Sequence, residues 1–142
     1  MSATAKQAEH LVAAWNSFDP GRVVDMLTED HVYEDVTFAV VCRGAAETRG
    51  FFEGCYSAIP DIHFTLTSAA ADSDRAALEW TMTGTHKGDL PGLPATGKPF
   101  SVRGATVYEI AADKISAVRD YWDLATLLRQ VGLLPSGLED TP

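Results

Sequence analysis

At 142 residues, with 46% apolar and 22% charged side chains, the chain has the size and composition of one ordinary globular domain, which excludes disordered, collagen-like and disulfide-dense classes. Twenty acidic against eleven basic residues give a net charge of -9, which repels phosphate backbones and anionic bilayers, so neither nucleic acid nor a membrane is an expected partner. Two cysteines without C-x-x-C spacing, no signal-length apolar run in Met1 to Gln7 and no long apolar stretch elsewhere fit a cytoplasmic protein.

Ala8, Leu11, Val12 and Trp15 recur at helical spacing and predict a first helix. Asp19-Pro20 reads as a cap followed by proline at the first helical position, opening a short helix with Val23, Val24, Met26 and Leu27 that Thr28-Glu29-Asp30 ends. His31 to Val41 is rich in β-branched and aromatic residues and reads as extended chain. Arg43-Gly44 breaks it before a third helix with Phe51, Phe52, Cys55 and Tyr56, closed by Pro60.

Beyond Pro60 the period becomes two. Ile62, Phe64 and Leu66 define one strand face, and Leu78, Trp80 and Met82 another. A Gly/Pro-rich loop from Gly84 to Pro99 precedes a strand from Phe100 to Ile110, and Ala112-Asp113 reads as a tight turn. A last strand, Ile115 to about Asp123, leads into a helix with Leu124, Leu127, Leu128 and Val131, stopped by Gly132 and Pro135. Helices and strands segregate, so the expectation is an α+β fold in one domain over 1–135, with a loose tail over 136–142.

Alternation on the last strand puts Asp120 on the face of Val118 and Trp122, a carboxylate on an otherwise apolar side. Burial there would raise its pKa toward the range of general acid-base catalysis. The plain alternative is a strand-end Asp satisfied by backbone amides or by Arg119. Of the neighbours Glu34 and Asp35, alternation sends one inward, and Asp35 shares a face with Tyr33. Either this face meets Asp120 across a pocket, or the segment ends at the rim in water.

His10, His31, His63 and His86 lack ligand spacing, so no metal is expected. His86, at the start of the long loop, reads either as a pocket contact or as a solvated loop residue. Gly92 to Lys98 matches phosphate-loop spacing, but Pro99 replaces the hydroxyl residue and extended chain follows, so no nucleotide is expected. No nucleophile elbow surrounds any serine.

Leu93-Pro94-Ala95-Thr96-Gly97-Lys98, Tyr108-Glu109-Ile110, Asp113-Lys114-Ile115, Val118-Arg119-Asp120-Tyr121-Trp122-Asp123-Leu124 and Leu128-Arg129-Gln130-Val131-Gly132 together resemble the SnoaL-like polyketide cyclases, as does Gly84-Thr85-His86. The Arg-Asp-Tyr-Trp-Asp-Leu segment is equally similar to the end of limonene-epoxide hydrolases. The resemblance implies a cone-shaped curved antiparallel sheet wrapped around helices, of the nuclear-transport-factor-like type. It also implies a homodimer, no cofactor, and a small apolar organic substrate.

In both families the Asp following Arg in this segment is catalytic, which the resemblance carries onto Asp120. A cyclase histidine falls on Thr106. Tyr33 and Asp35 fall near hydrolase positions that hold the attacking water, but the hydrolase Arg-x-Asp pair is missing from Leu78-Glu79-Trp80-Thr81-Met82. Ketosteroid isomerases are a third relative: Glu34-Asp35 resembles the segment with their proton-abstracting Asp, while their oxyanion-hole Tyr and Asp fall on Leu11 and Thr106.

The expected function is therefore cofactor-independent proton shuttling on an apolar substrate. Aldol ring closure leads, with epoxide opening or a non-enzymatic binding protein as alternatives. Asp120 and Asp35 are the expected catalytic residues. Tyr33, Thr106, Trp15, Trp80, Met82, His86 and Trp122 are the expected ligand contacts.

Overall fold

The computed structural model describes residues 3–134, so the expected tail, and Pro135 as a helix stop, lie outside the described residues. Within them, α1 (Ala3–Trp15) and α2 (Pro20–Val24) precede β1 (Leu27–Asp35) and β2 (Val40–Arg43). Then come α3 (Gly44–Ala58), β3 (His63–Ala71), β4 (Arg75–Thr85), β5 (Pro99–Ala111), β6 (Lys114–Trp122) and α4 (Leu124–Val131).

Local chemistry explains most of these limits. Asp19 caps α2 by accepting the Gly21 N–H at 2.9 Å, with Pro20 at the first turn. Ala112 and Asp113 adopt φ of 48° and 70°, two consecutive left-handed residues that turn β5 directly into β6. Asp123 caps α4 by accepting the Thr126 N–H at 3.0 Å, and Gly132 ends it at φ 79°.

The strands form one six-stranded sheet in the order β2-β1-β6-β5-β4-β3. Every pairing is antiparallel except β1 with β6, which is parallel. The helices cover its inner face: α1 packs on β3 and β4, α3 on β1 and β2, and α4 on β5. Inward residues alternate as expected, with Ala76, Leu78, Trp80 and Met82 from β4 buried beside Phe100, Val102, Thr106 and Tyr108 from β5.

The extended segment expected over His31 to Val41 is two strands. β1 begins earlier, at Leu27, because the polar Thr28-Glu29-Asp30 run continues the strand instead of ending a helix. Between them, 36–39 forms a turn in which Ala39 takes φ 57°. His31 ties β1 to α3, its Nε2 lying 2.7 Å from the Thr48 hydroxyl and its Nδ1 2.7 Å from the Thr28 carbonyl. A carbonyl can only accept, so Nδ1 carries the proton and, in the neutral ring, Nε2 accepts from Thr48.

Candidate active site

The three strands β1, β6 and β5 place their functional side chains by register. Asp35 is the partner of Asp120 across the parallel pair, and Thr106 is the partner of Asp120 across the antiparallel one. Side chains of paired residues share a face, so Tyr33, Asp35, Thr106 and Asp120 all point inward and all are buried. Glu34 is on the opposite side and only partly covered, which decides which of the adjacent carboxylates faces the interior.

Asp120 is 8% exposed and holds two hydrogen bonds, one per oxygen. The Tyr33 hydroxyl donates to Oδ2 at 2.9 Å and the Thr106 hydroxyl donates to Oδ1 at 2.7 Å. Thr106 in turn accepts from the Trp80 indole N–H at 2.9 Å. The result is a chain from Trp80 through Thr106 to Asp120, each bond polarising the next. Arg119 plays no part in it; its guanidinium pairs with Glu109 at 3.3 Å on the outer face.

Burial drives the Asp120 carboxyl up to about 7, with the Asp35 charge adding to the rise while the bonds from Thr106 and Tyr33 hold it down. Burial and the facing Asp120 push Tyr33 well above its ordinary value, so its phenol stays protonated and serves as a donor. A carboxyl poised near neutrality with lone pairs still free can both take and return a proton.

Asp35, 6% exposed, is spent differently. Its Oδ1 accepts the Phe38 N–H at 2.9 Å, and both oxygens accept from the Trp122 indole N–H, at 3.2 and 3.1 Å. Burial raises its pKa and these bonds oppose the rise. Thr37 completes the clamp, donating to the Trp122 carbonyl and accepting the Trp122 N–H, both at 2.9 Å. Asp35 thus fixes the 36–39 turn and the Trp122 ring, which meets Phe38 edge to face at 4.9 Å.

These groups open onto a cavity lined by Trp15, Tyr33, Asp35, Phe38, Phe51, Phe52, Cys55, Tyr56, Ile59, Ile62, Phe64, Trp80, Met82, Leu90, Asp120, Trp122 and Leu127. Its two carboxylates are its only charged groups among the described residues, set in aromatic and aliphatic walls. The free space of the cavity is about 50 Å3.

The chain matches the SnoaL-like polyketide cyclases over residues 5–131. It belongs to that family. Among solved structures it is similar to TsrD from Streptomyces laurentii, at 28% identity and a TM-score of 0.82, covering 94% of this chain and 99% of that one. AclR from Streptomyces galilaeus is 27% identical with a TM-score of 0.79, covering 99% and 95%. A Catenulispora acidiphila protein with a ketosteroid isomerase-like fold, in complex with trimethylamine, is 26% identical with a TM-score of 0.79, covering 95% and 96%. No match was found among curated proteins.

The SnoaL-like fold gathers most of the expected site residues at one place. Asp120, Asp35, Tyr33, Trp15, Trp80, Met82 and Trp122 all line the cavity. Thr106 does not reach it; it lies behind Asp120 and acts on the carboxyl through its hydroxyl.

His86 corrects the sequence reading on both counts, being neither a cavity-lining residue nor solvated. It is fully buried because the loop folds back on it. The Thr96 and Gly97 N–H groups both bond its carbonyl, at 3.2 and 2.7 Å, and its Nδ1 lies 3.2 Å from the Thr96 hydroxyl.

The helical wall was legible only as core. Phe52, Cys55 and Tyr56 follow the i, i+3, i+4 spacing of one face of α3, Ile59 follows directly after the helix, and all four border the cavity. Nothing local marks Phe38, whose inward placement depends on the 36–39 turn. Among the described residues no cluster of three His, Cys, Asp or Glu is arranged to hold a metal, and no helix is long and apolar enough to cross a membrane.

Proposed function

We propose that the protein is a cofactor-independent acid-base enzyme that closes a ring by intramolecular aldol addition on a polyketide-like substrate, with Asp120 as the proton carrier. The observation that carries this reading is the buried Asp120 carboxyl, bonded by two hydroxyls and held at about 7 on the wall of an aromatic cavity.

In the ionised state Asp120 takes a proton from a carbon flanked by carbonyls. The resulting enolate carbon attacks a second carbonyl carbon of the same molecule, forming a C–C bond. The alkoxide left on that oxygen recovers the proton from Asp120, which returns the carboxylate to its starting state. Tyr33 and Thr106 orient the carboxyl, and Asp35 raises its basicity while holding Trp122 and Phe38 as walls for a flat substrate. Epoxide opening is the weaker reading, since no arginine stands among the cavity residues to orient a second carboxylate.

The test is ring closure of an accepted anthraquinone-type precursor by the wild type and by Asp120→Asn. Loss of the proton carrier is expected to lower turnover about 10²- to 10⁴-fold. Unchanged turnover in the variant would remove Asp120 from the reaction, and no turnover by the wild type would leave a binding protein of the same fold.

A further inference from the structure

All three tryptophans line the cavity, but their indole N–H groups are not used alike. Trp80 donates to Thr106 at 2.9 Å, and Trp122 donates to Asp35 at 3.1 Å. Trp15 is 1% exposed, and its Nε1–H has no acceptor in the protein.

The ring is not loose. It meets Phe64 at 5.1 Å and Trp80 edge to face at 5.9 Å, and the Trp15 carbonyl accepts the Tyr56 hydroxyl at 2.7 Å. An indole N–H can only donate, and buried donors are nearly always partnered.

The remaining oxygen and nitrogen donors of the cavity are spent. Tyr33 is committed to Asp120, Tyr56 to the Trp15 carbonyl, Trp80 to Thr106 and Trp122 to Asp35. Among the described residues that line the cavity, the Trp15 indole N–H is the one side-chain N–H or phenol O–H left without an acceptor. Proton removal by a carboxylate needs a carbonyl beside the C–H bond, and the oxygen of that carbonyl gathers negative charge as the proton leaves.

We infer that the Trp15 indole N–H is the anchoring donor for a substrate carbonyl oxygen, so that the ligand class is a ring-bearing ketone presented with its acidic C–H toward Asp120. This rests on the reading of the cavity as the substrate site. It adds the polar contact that selects ketones over hydrocarbons of equal shape.

The test uses the full chain labelled with ¹⁵N-tryptophan and two probes of nearly the same shape, α-tetralone, which carries a carbonyl, and tetralin, which does not. The Trp15 indole resonance is assigned by its loss in Trp15→Phe. α-Tetralone is expected to move that resonance downfield, as a new hydrogen bond does, and tetralin is not. Trp15→Phe is expected to weaken α-tetralone binding about three- to tenfold and tetralin binding by less than about twofold.

Equal movement of the resonance by both probes, or equal loss of both affinities, would reduce Trp15 to a wall and overturn the inference while leaving the cavity as the substrate site. Binding of neither probe by the wild type would overturn both readings. Should Trp15→Phe fail to fold, the indole nitrogen resonances of Trp80→Phe and Trp122→Phe give the assignment by elimination, and the wild-type shift decides.

Discussion

Asp35 and Asp120 are register partners across the parallel β1–β6 pair, and their carboxyls are engaged in opposite ways. Asp120 accepts one hydroxyl per oxygen and keeps lone pairs free, whereas Asp35 accepts a backbone N–H and an indole N–H that fix the turn and Trp122. One carboxyl is poised and the other braces it. The negative charge of Asp35 also helps to hold Asp120 above its ordinary value, so the brace tunes the poise.

Removing that charge is therefore expected to move the pH dependence of the reaction. The base form of Asp120 carries proton abstraction, so kcat/KM should rise with pH through about 7 and then level. In Asp35→Asn the Asp120 proton leaves more easily, and the rising limb should shift to lower pH. A limb that stays in place would show that Asp35 does not reach Asp120 electrostatically.

The two hydroxyl donors act in the other direction. Each stabilises the ionised carboxyl, so Tyr33→Phe and Thr106→Val should each move the same limb to higher pH. Thr106→Val has a second cost, because it leaves the buried Trp80 N–H without its acceptor. Unfolding stability should fall by about 1–3 kcal/mol, measured by urea denaturation.

Asp120 also imposes a pH dependence on folding. Its proton is released at about 7 in the folded chain but near its ordinary 3.8 in the unfolded one, so between those values the folded state binds more protons. The stability that Asp120 contributes is fully present below that window and is lost as pH rises through about 7. Asp120→Asn should cancel this loss, so that the variant gains on the wild type between pH 4 and pH 8 by at most about 4 kcal/mol. The difference between the two urea curves as a function of pH is the measurement.

Gly104 makes room for the chain that ends at Asp120. It is the register partner of Trp80, and a Cβ added there would lie 2.7 and 2.8 Å from two atoms of the Trp80 ring and closer still to a third. Gly104→Ala must tilt the ring away from Thr106. The expected destabilisation is about 1–3 kcal/mol from overpacking, seen as a lowered Tm. Asp120 would be perturbed through Thr106 without any change at the carboxyl itself.

The strand alternation around Val118 and Trp122 was enough to single out Asp120, and the Asp19, Ala112-Asp113 and Gly132 signals placed their turns, because each is a property of a few adjacent residues. What local pattern does not carry is pairing. Nothing near Asp35 announces that β1 returns parallel to β6, yet that pairing brings Asp35 beside Asp120 and Tyr33 onto its oxygen. Thr28-Glu29-Asp30 looks like a helix end because its polar residues suit turns, but it lies in the irregular stretch of β1 between the paired Leu27 and Val32. Gly104 breaks a strand pattern without revealing that a tryptophan fills the gap, and His86 sits in a Gly/Pro-rich loop whose inward fold depends on backbone bonds across ten residues.

Every step proposed for the cavity requires one carboxyl held out of water at a pKa suited to carrying a proton. Titration of the Asp120 carboxyl carbon by ¹³C NMR, assigned with Asp120→Asn, measures it most directly. A midpoint near 7 that drops in Asp35→Asn and rises in Tyr33→Phe is the expected result. A midpoint near 4, unmoved by either substitution, would mean a solvated aspartate that is not poised to carry a proton.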